Sequence, residues 1–190
     1  MANDNRPMGF HPINSPQGSV QKTAYRIEKT YATALYIGDM VTLSGGYIIK
    51  ATAATANPLL GAIVGFECDA GMDDAGYYPA SSTDNYKAIV ADAVDQRFVG
   101  QDDGEGTAMD LLDIGKTGNL VFTHSGSTTT NLSGMEADGS SFSGSGQAVT
   151  DQLKLVDLVD RPDNVAGANA EWIFVIHNHY YRQENNVDAT

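Results

Sequence analysis

The chain of 190 residues carries 24 acidic against 11 basic side chains, a formal net charge of −13, and a surface of that sign repels phosphate backbones and anionic lipid, which argues against nucleic-acid and membrane partners. With 42% hydrophobic residues it can build one sizeable core, hence one domain with appendages. The single cysteine, Cys68, excludes an internal disulfide and a cysteine-based zinc site, and its position after an apolar run suits a buried thiol. Twenty glycines among abundant Ser, Thr, Ala and Val, with no long amphipathic pattern, favour short strands joined by turns, a mainly β class.

Residues 1–21 hold Pro7, Pro12 and Pro16 with Gly9 and Gly18, which bars helix and predicts an extended, poorly self-packing arm. Phe10 and Ile13 are the apolar anchors on it. A mere tail tends to lack such residues, so the arm is expected to strap onto a neighbour, and its removal is expected to leave the free domain's melting temperature unchanged. Met1-Ala-Asn-Asp-Asn-Arg-Pro7 has no apolar core of a secretion signal, and no run is long enough for a membrane helix, so a chain made and kept in a cytosol-like compartment is expected.

The domain proper is expected over 22–182, with 183–190 as a C-terminal tail. Loose alternation predicts a strand in Val20–Glu28; Tyr31–Ile37, Met40–Leu43 and Tyr47–Lys50 follow, separated by the Gly38-Asp39 and Gly45-Gly46 turn signals. Pro58–Cys68 reads as an apolar strand in which Gly61 and Gly65 mark a bulge or barrel corner. Asp69–Asp84 reads as an acidic loop with Tyr77 and Tyr78 as its apolar mass; Tyr86–Val94, Gln96–Gln101 and Asn119–Thr123 read as strands. Thr107–Ile114 is the one helical candidate, capped by Thr107 and ended by Gly115, and Asp138-Gly139 is a hairpin signal. Gln152–Val159 and Glu171–Asn178 hold the longest apolar runs. Between them Asp160–Asn169 concentrates Pro, Asp, Asn and Gly, so an antiparallel pair is expected at the centre of the core. Trp172, Phe174 and Ile176 fall on one face of the last strand and are its anchors, with burial of the two aromatics contributing roughly 1.5–3 kcal/mol each.

Chemistry is thinly signalled. His177 and His179, two apart on a strand, share a face and could offer two metal ligands, but a third is not identifiable, and a polar pair where the strand leaves the core is the plainer reading. Asp102, Asp103 and Glu105 cluster near Gly104 without the periodicity of a calcium loop, and a solvated turn is expected there, as at Asp69, Asp73 and Asp74. Gly144-Ser145-Gly146 does not complete a nucleophile elbow, and no Gly-rich phosphate loop with Lys occurs. No catalytic, cofactor or metal residue is therefore assigned, which shifts weight toward a binding or structural role.

The order of signals resembles the head decoration, or cement, proteins of tailed bacteriophages. The resemblance rests on Gly9-Phe10, Tyr25-Arg26-Ile27, Leu35–Val41 with Gly38-Asp39, Leu60–Gly65, Gln152–Val156 and Asp160-Arg-Pro-Asp-Asn164, which span most of the chain. It implies a small β-barrel or jelly-roll-like domain with an extended N-terminal arm, one that oligomerises, commonly as a homotrimer, on the outer capsid surface. Its partners would be a major capsid protein and itself, its location the virion, and its origin the host cytoplasm; it carries no enzyme activity across. Two other classes stay open: a carbohydrate-binding or adhesin-like β module stacking sugars on Tyr31, Tyr36, Tyr47, Tyr77 and Tyr78, and a cupin-like metalloenzyme built on His177 and His179.

Overall fold

The computed structural model describes residues 3–13, 18–53, 56–69, 76–143 and 148–182. The expected tail 183–190, Asp73, Asp74 and Gly144-Ser145-Gly146 lie outside the described residues. The chain is mainly β. In order, the strands are β1 His11–Ile13, β2 Thr23–Arg26, β3 Leu35–Tyr36, β4 Met40–Ser44, β5 Tyr47–Lys50, β6 Gly61–Cys68, β7 Tyr77–Tyr78, β8 Tyr86–Ala91 and β9 Arg97–Gln101. They continue with β10 Thr117–Gly118, β11 Leu120–Val121, β12 Glu136–Ala137, β13 Leu153–Leu158 and β14 Glu171–Ile176. One short α-helix, α1 Gly139–Phe142, and 3-10 turns at Leu111–Asp113 and Tyr180–Arg182 complete the elements.

Two five-stranded antiparallel sheets carry the fold, ordered β1-β9-β14-β13-β10 and β2-β8-β6-β4-β5, with the ribbons β11-β12 and β3-β7 beside them. The strand β14 lies at the centre of the first sheet, with β13 on one side and β9 on the other. Its side chains alternate: Trp172, Phe174 and Ile176 are buried at 0, 0 and 2% exposure, while Ile173 and Val175 on the other face are half-buried. The central strands of the second sheet are covered on both faces. Met40, Ala62 and Ala91 point into the core shared with the first sheet, whereas Val41, Ile63 and Val90 point into a second cluster closed by Leu35, Tyr78 and Tyr86. Strands covered on both faces read as near-continuous apolar runs, as β6 does.

The register of β6 shifts between Ile63 and Gly65, the bulge that its glycines implied. The bulge helps the second sheet curl until its edge strands β2 and β5 approach one another. They do not pair, so no closed barrel forms among the described residues.

Two local expectations are corrected. The helix expected over Thr107–Ile114 is only the turn Leu111–Asp113, capped by Asp110 rather than Thr107. Asp110 and Asp113 each bond the other's backbone in a capping box, and with Leu111 and Leu112 exposed at 57 and 85% no apolar face is buried to extend the helix. Asp138-Gly139 is no hairpin: Asp138 is the N-cap of α1, accepting a bond from the Ser141 N–H, and Phe142 at the end of that helix is drawn wholly into the core. The same short side chain that suits a tight turn also suits a cap.

The largest correction is the arm. Instead of waiting for a neighbour, it pairs β1 with β9 of its own chain, His11 opposite Val99 and Ile13 opposite Arg97. Phe10 is fully buried, edge-on to Phe174 at 5.8 Å between ring centres. Ile13, on β1, is half-buried.

Candidate functional site

Phe10 is held where both sheets meet. Its N–H donates to Gly38 O at 2.9 Å, and its ring covers Gly100 so closely that a Cβ there would run into it. Gly9 and Gly38 take φ of +74° and +89°, and a Cβ on Gly9 would come to 2.5 Å from Gly38 O. Only glycine tolerates both that dihedral and that approach. Three glycines distant in sequence thus make one seat for one aromatic ring, and burial in it satisfies the area that an exposed Phe10 would leave in water.

Beside the seat stands Asp39, fully buried. Its carboxylate accepts from the Tyr36 N–H at 2.9 Å and the Ser133 hydroxyl at 2.6 Å and lies 3.1 Å from Lys50 Nζ. Gly38 N–H donates to Ile63 O and Ile63 N–H to Asp39 O, stitching the Gly38-Asp39 turn to β6. At the far end of the first sheet, Asn164 donates to Val159 O and Glu171 O, and Arg161 forms a two-pronged pair with Glu171 at 2.9 and 3.2 Å. Gly9-Phe10, Gly38-Asp39 and Asp160–Asn164, distant in sequence, are thus joints of the fold.

The residues considered for chemistry are spread apart. The strand β14 ends at Ile176, so His177 and His179 do not project as a strand pair. His179 is 1% exposed and its Nδ1 accepts from the Tyr181 N–H at 3.1 Å; burial pushes both imidazoles below their ordinary pKa. Asp102 and Asp103 are not a solvated turn. Asp102 accepts from the N–H groups of Gly104, Met109 and Asn169, and Asp103 from those of Glu105 and Gly139. Burial raises both carboxyls against the opposing pull of those donors, Asp103 up to about 6. Among the described residues no group of three or more His, Cys, Asp or Glu side chains is placed to hold a metal ion.

Nor do the tyrosines form an open sugar platform. Tyr36 and Tyr77 stack on each other at 5.4 Å, Tyr78 is 1% exposed, and Tyr31 is half-buried with its hydroxyl accepting from the Lys50 N–H; Tyr47 alone among the five is over a third exposed, at 37%. Cys68 is half-buried at the end of β6. Sequence reading missed His124, whose Nδ1 lies 2.8 Å from the fully buried Glu136 carboxylate, with the Thr123 hydroxyl bonded to the same oxygen. Glu136 begins β12 and His124 lies three residues past the end of β11, twelve residues away in sequence, and no spacing rule flags such a pair.

What the surface does offer is apolar. Leu111, Leu112 and Ile114 stand in solvent at 57, 85 and 42%, and the outward side of the first sheet carries a half-buried aliphatic row. Compared with known proteins, the chain matches no family model, no curated protein sequence and no solved structure.

Proposed function

We propose that the chain is a structural virion protein that binds the outer surface of a tailed-phage capsid and stabilises it, working as a homotrimer with the major capsid protein as its partner. The observation that carries this reading is the convergence of the motifs behind the resemblance. Gly9-Phe10, Gly38-Asp39 and Leu60–Gly65 meet at one joint, and Gln152–Val156 and Asp160–Asn164 frame the central strand pair.

Two properties of the surface support it further. A net charge of −13 suits the solvent side of a particle. The exposed leucines and the aliphatic sheet face give such a protein area to bury on assembly. The test is co-sedimentation of the purified chain with undecorated heads. Saturable binding that raises the temperature of head rupture is expected, whereas a chain left in the supernatant, or one that hydrolyses a defined substrate, would overturn the proposal.

A further inference from the structure

After β14 the chain leaves the first sheet and crosses to the second, and one imidazole fastens the crossing. Leu59 N–H donates to Asn178 O and Tyr180 N–H to Leu59 O, both at 2.8 Å, so Leu59 and His179 form a parallel bridge just ahead of β6. The 3-10 turn Tyr180–Arg182 follows, closed by the Arg182 N–H on His179 O at 2.9 Å. Tyr180 packs against the second cluster, whereas Tyr181 is 55% exposed and fastened at both ends. Its N–H donates to His179 Nδ1 at 3.1 Å, and its hydroxyl meets the Tyr25 hydroxyl of the edge strand β2 at 2.9 Å. Tyr25 in turn donates to the Asp92 carboxylate at 2.6 Å.

The bond to Nδ1 fixes the state of the ring. A backbone N–H can only donate, so Nδ1 is the bare nitrogen and Nε2 the one that carries the proton. His179 is 1% exposed, and its Nε2 has no hydrogen-bond partner among the described residues. A second proton could go only to Nδ1, where it would face the Tyr181 N–H. A bond would become an opposition of two donors, and a buried cation would be left with neither N–H bonded. Burial and then the Arg182 guanidinium disfavour that charge, while the Asp92 carboxylate and the Asp92 and Leu60 carbonyls favour it; burial outweighs the rest and lowers the ring's pKa from 6.5. Burial and the bond to Asp92 raise the Tyr25 hydroxyl, so it keeps its proton across the range in which the imidazole titrates.

We propose that His179 is an acid-sensitive latch: a proton on Nδ1 expels the Tyr181 N–H, loosens the turn Tyr180–Arg182 and uncovers Tyr25 on the edge strand β2, while the two five-stranded sheets stay paired. The turn is held at its start by the Leu59 bridge and at its end by the ring, so loss of the ring's acceptor frees the end first. The closed latch binds fewer protons than the open one. It is therefore stable above 6.5 and weakens as the pH falls below that value. Each further pH unit should raise the open population about tenfold until the closed ring titrates as well.

Amide hydrogen exchange on the full chain tests the latch, each rate being divided by that of an unstructured peptide at the same pH. From about pH 8 to about 5 the Tyr181 amide is expected to lose protection by roughly tenfold or more, while the Phe174 amide on β14 keeps its own. Nitrogen-15 spectra of the imidazole at the upper pH are expected to show Nε2 protonated and Nδ1 bare. His179→Asn places an oxygen near the position of Nδ1 and cannot take up a proton, so Tyr181 protection in that variant, whether high or low, is expected to be flat over the same range. Wild-type protection that ignores pH, a ring with its proton on Nδ1, or a variant that still loses protection in acid would each overturn the latch.

Discussion

Phe10 and Leu112 are both large apolar side chains on segments too irregular to bury them by periodicity, yet one is 0% and the other 85% exposed. The difference lies in what surrounds them, not in their own neighbours in sequence. Phe10 finds a seat cut by Gly9, Gly38 and Gly100 and closed by Phe174. Leu112 sits on a turn whose two aspartates spend their carboxylates on the turn itself, and no glycine-lined pocket faces it. Burial on an irregular segment is decided by a receptor elsewhere in the chain. A side chain without one remains available to another molecule.

The comparison breaks most easily at Phe10. Truncation to Ala should cost about 3–5 kcal/mol of unfolding free energy, since the cavity beside Phe174 has rigid glycine walls that cannot collapse inward. Gly100→Ala attacks the same seat from below and should cost about 1–3 kcal/mol by overpacking against the ring. Urea unfolding of both proteins checks this, and an unchanged midpoint would return Phe10 to the class of Leu112. Removal of the arm should likewise lower the melting temperature, the reverse of what a free strap would do.

A middle-sized effect concerns the buried pair Asp102 and Asp103, ahead of the Leu111–Asp113 turn. Asp103 titrates near 6 in the folded chain because burial raises it above the ordinary value of 3.8. A raised folded pKa favours the protonated form, so its contribution to stability is full below 3.8 and is lost as pH rises through about 6. Asp103→Asn keeps an oxygen for the Glu105 and Gly139 N–H groups and cannot ionise. Thermal melts from pH 4 to 7 should therefore fall less steeply in the variant than in the wild type. Parallel curves would remove the assigned cause.

Much of this architecture was legible in the sequence. The β class, the antiparallel β13–β14 pair and the β6 bulge follow from period-two alternation, turn residues and paired glycines, all of which act within a few residues. What was illegible depends on distant partners. Gly9 and Gly38 read as ordinary loop punctuation, and only their approach, with Gly100 beneath, reveals the seat for Phe10. The capping box at Asp110 lay inside a stretch with plausible helix formers, where local side-chain bonds outcompeted propensity. Asp102 and Asp103 looked solvated because acidity is a composition signal, while their burial is compensated by backbone donors as far away as Gly139 and Asn169.

The smallest expected effect sharpens the other half of the comparison. Leu112→Ala should change the unfolding free energy of the monomer by no more than about 0.5 kcal/mol, because an exposed turn residue has little packing to lose. A larger loss in urea titration would mean that the turn contributes to the fold and is not a surface held in reserve.

Amide hydrogen exchange at Phe10 tests the central claim most directly. Its N–H donates to Gly38 O beneath a buried ring, so the account expects protection in the range of the Phe174 amide on β14, released only by large-scale opening. Exchange at the rate of an unstructured peptide, with Phe174 still protected, would contradict it and show the arm to be free.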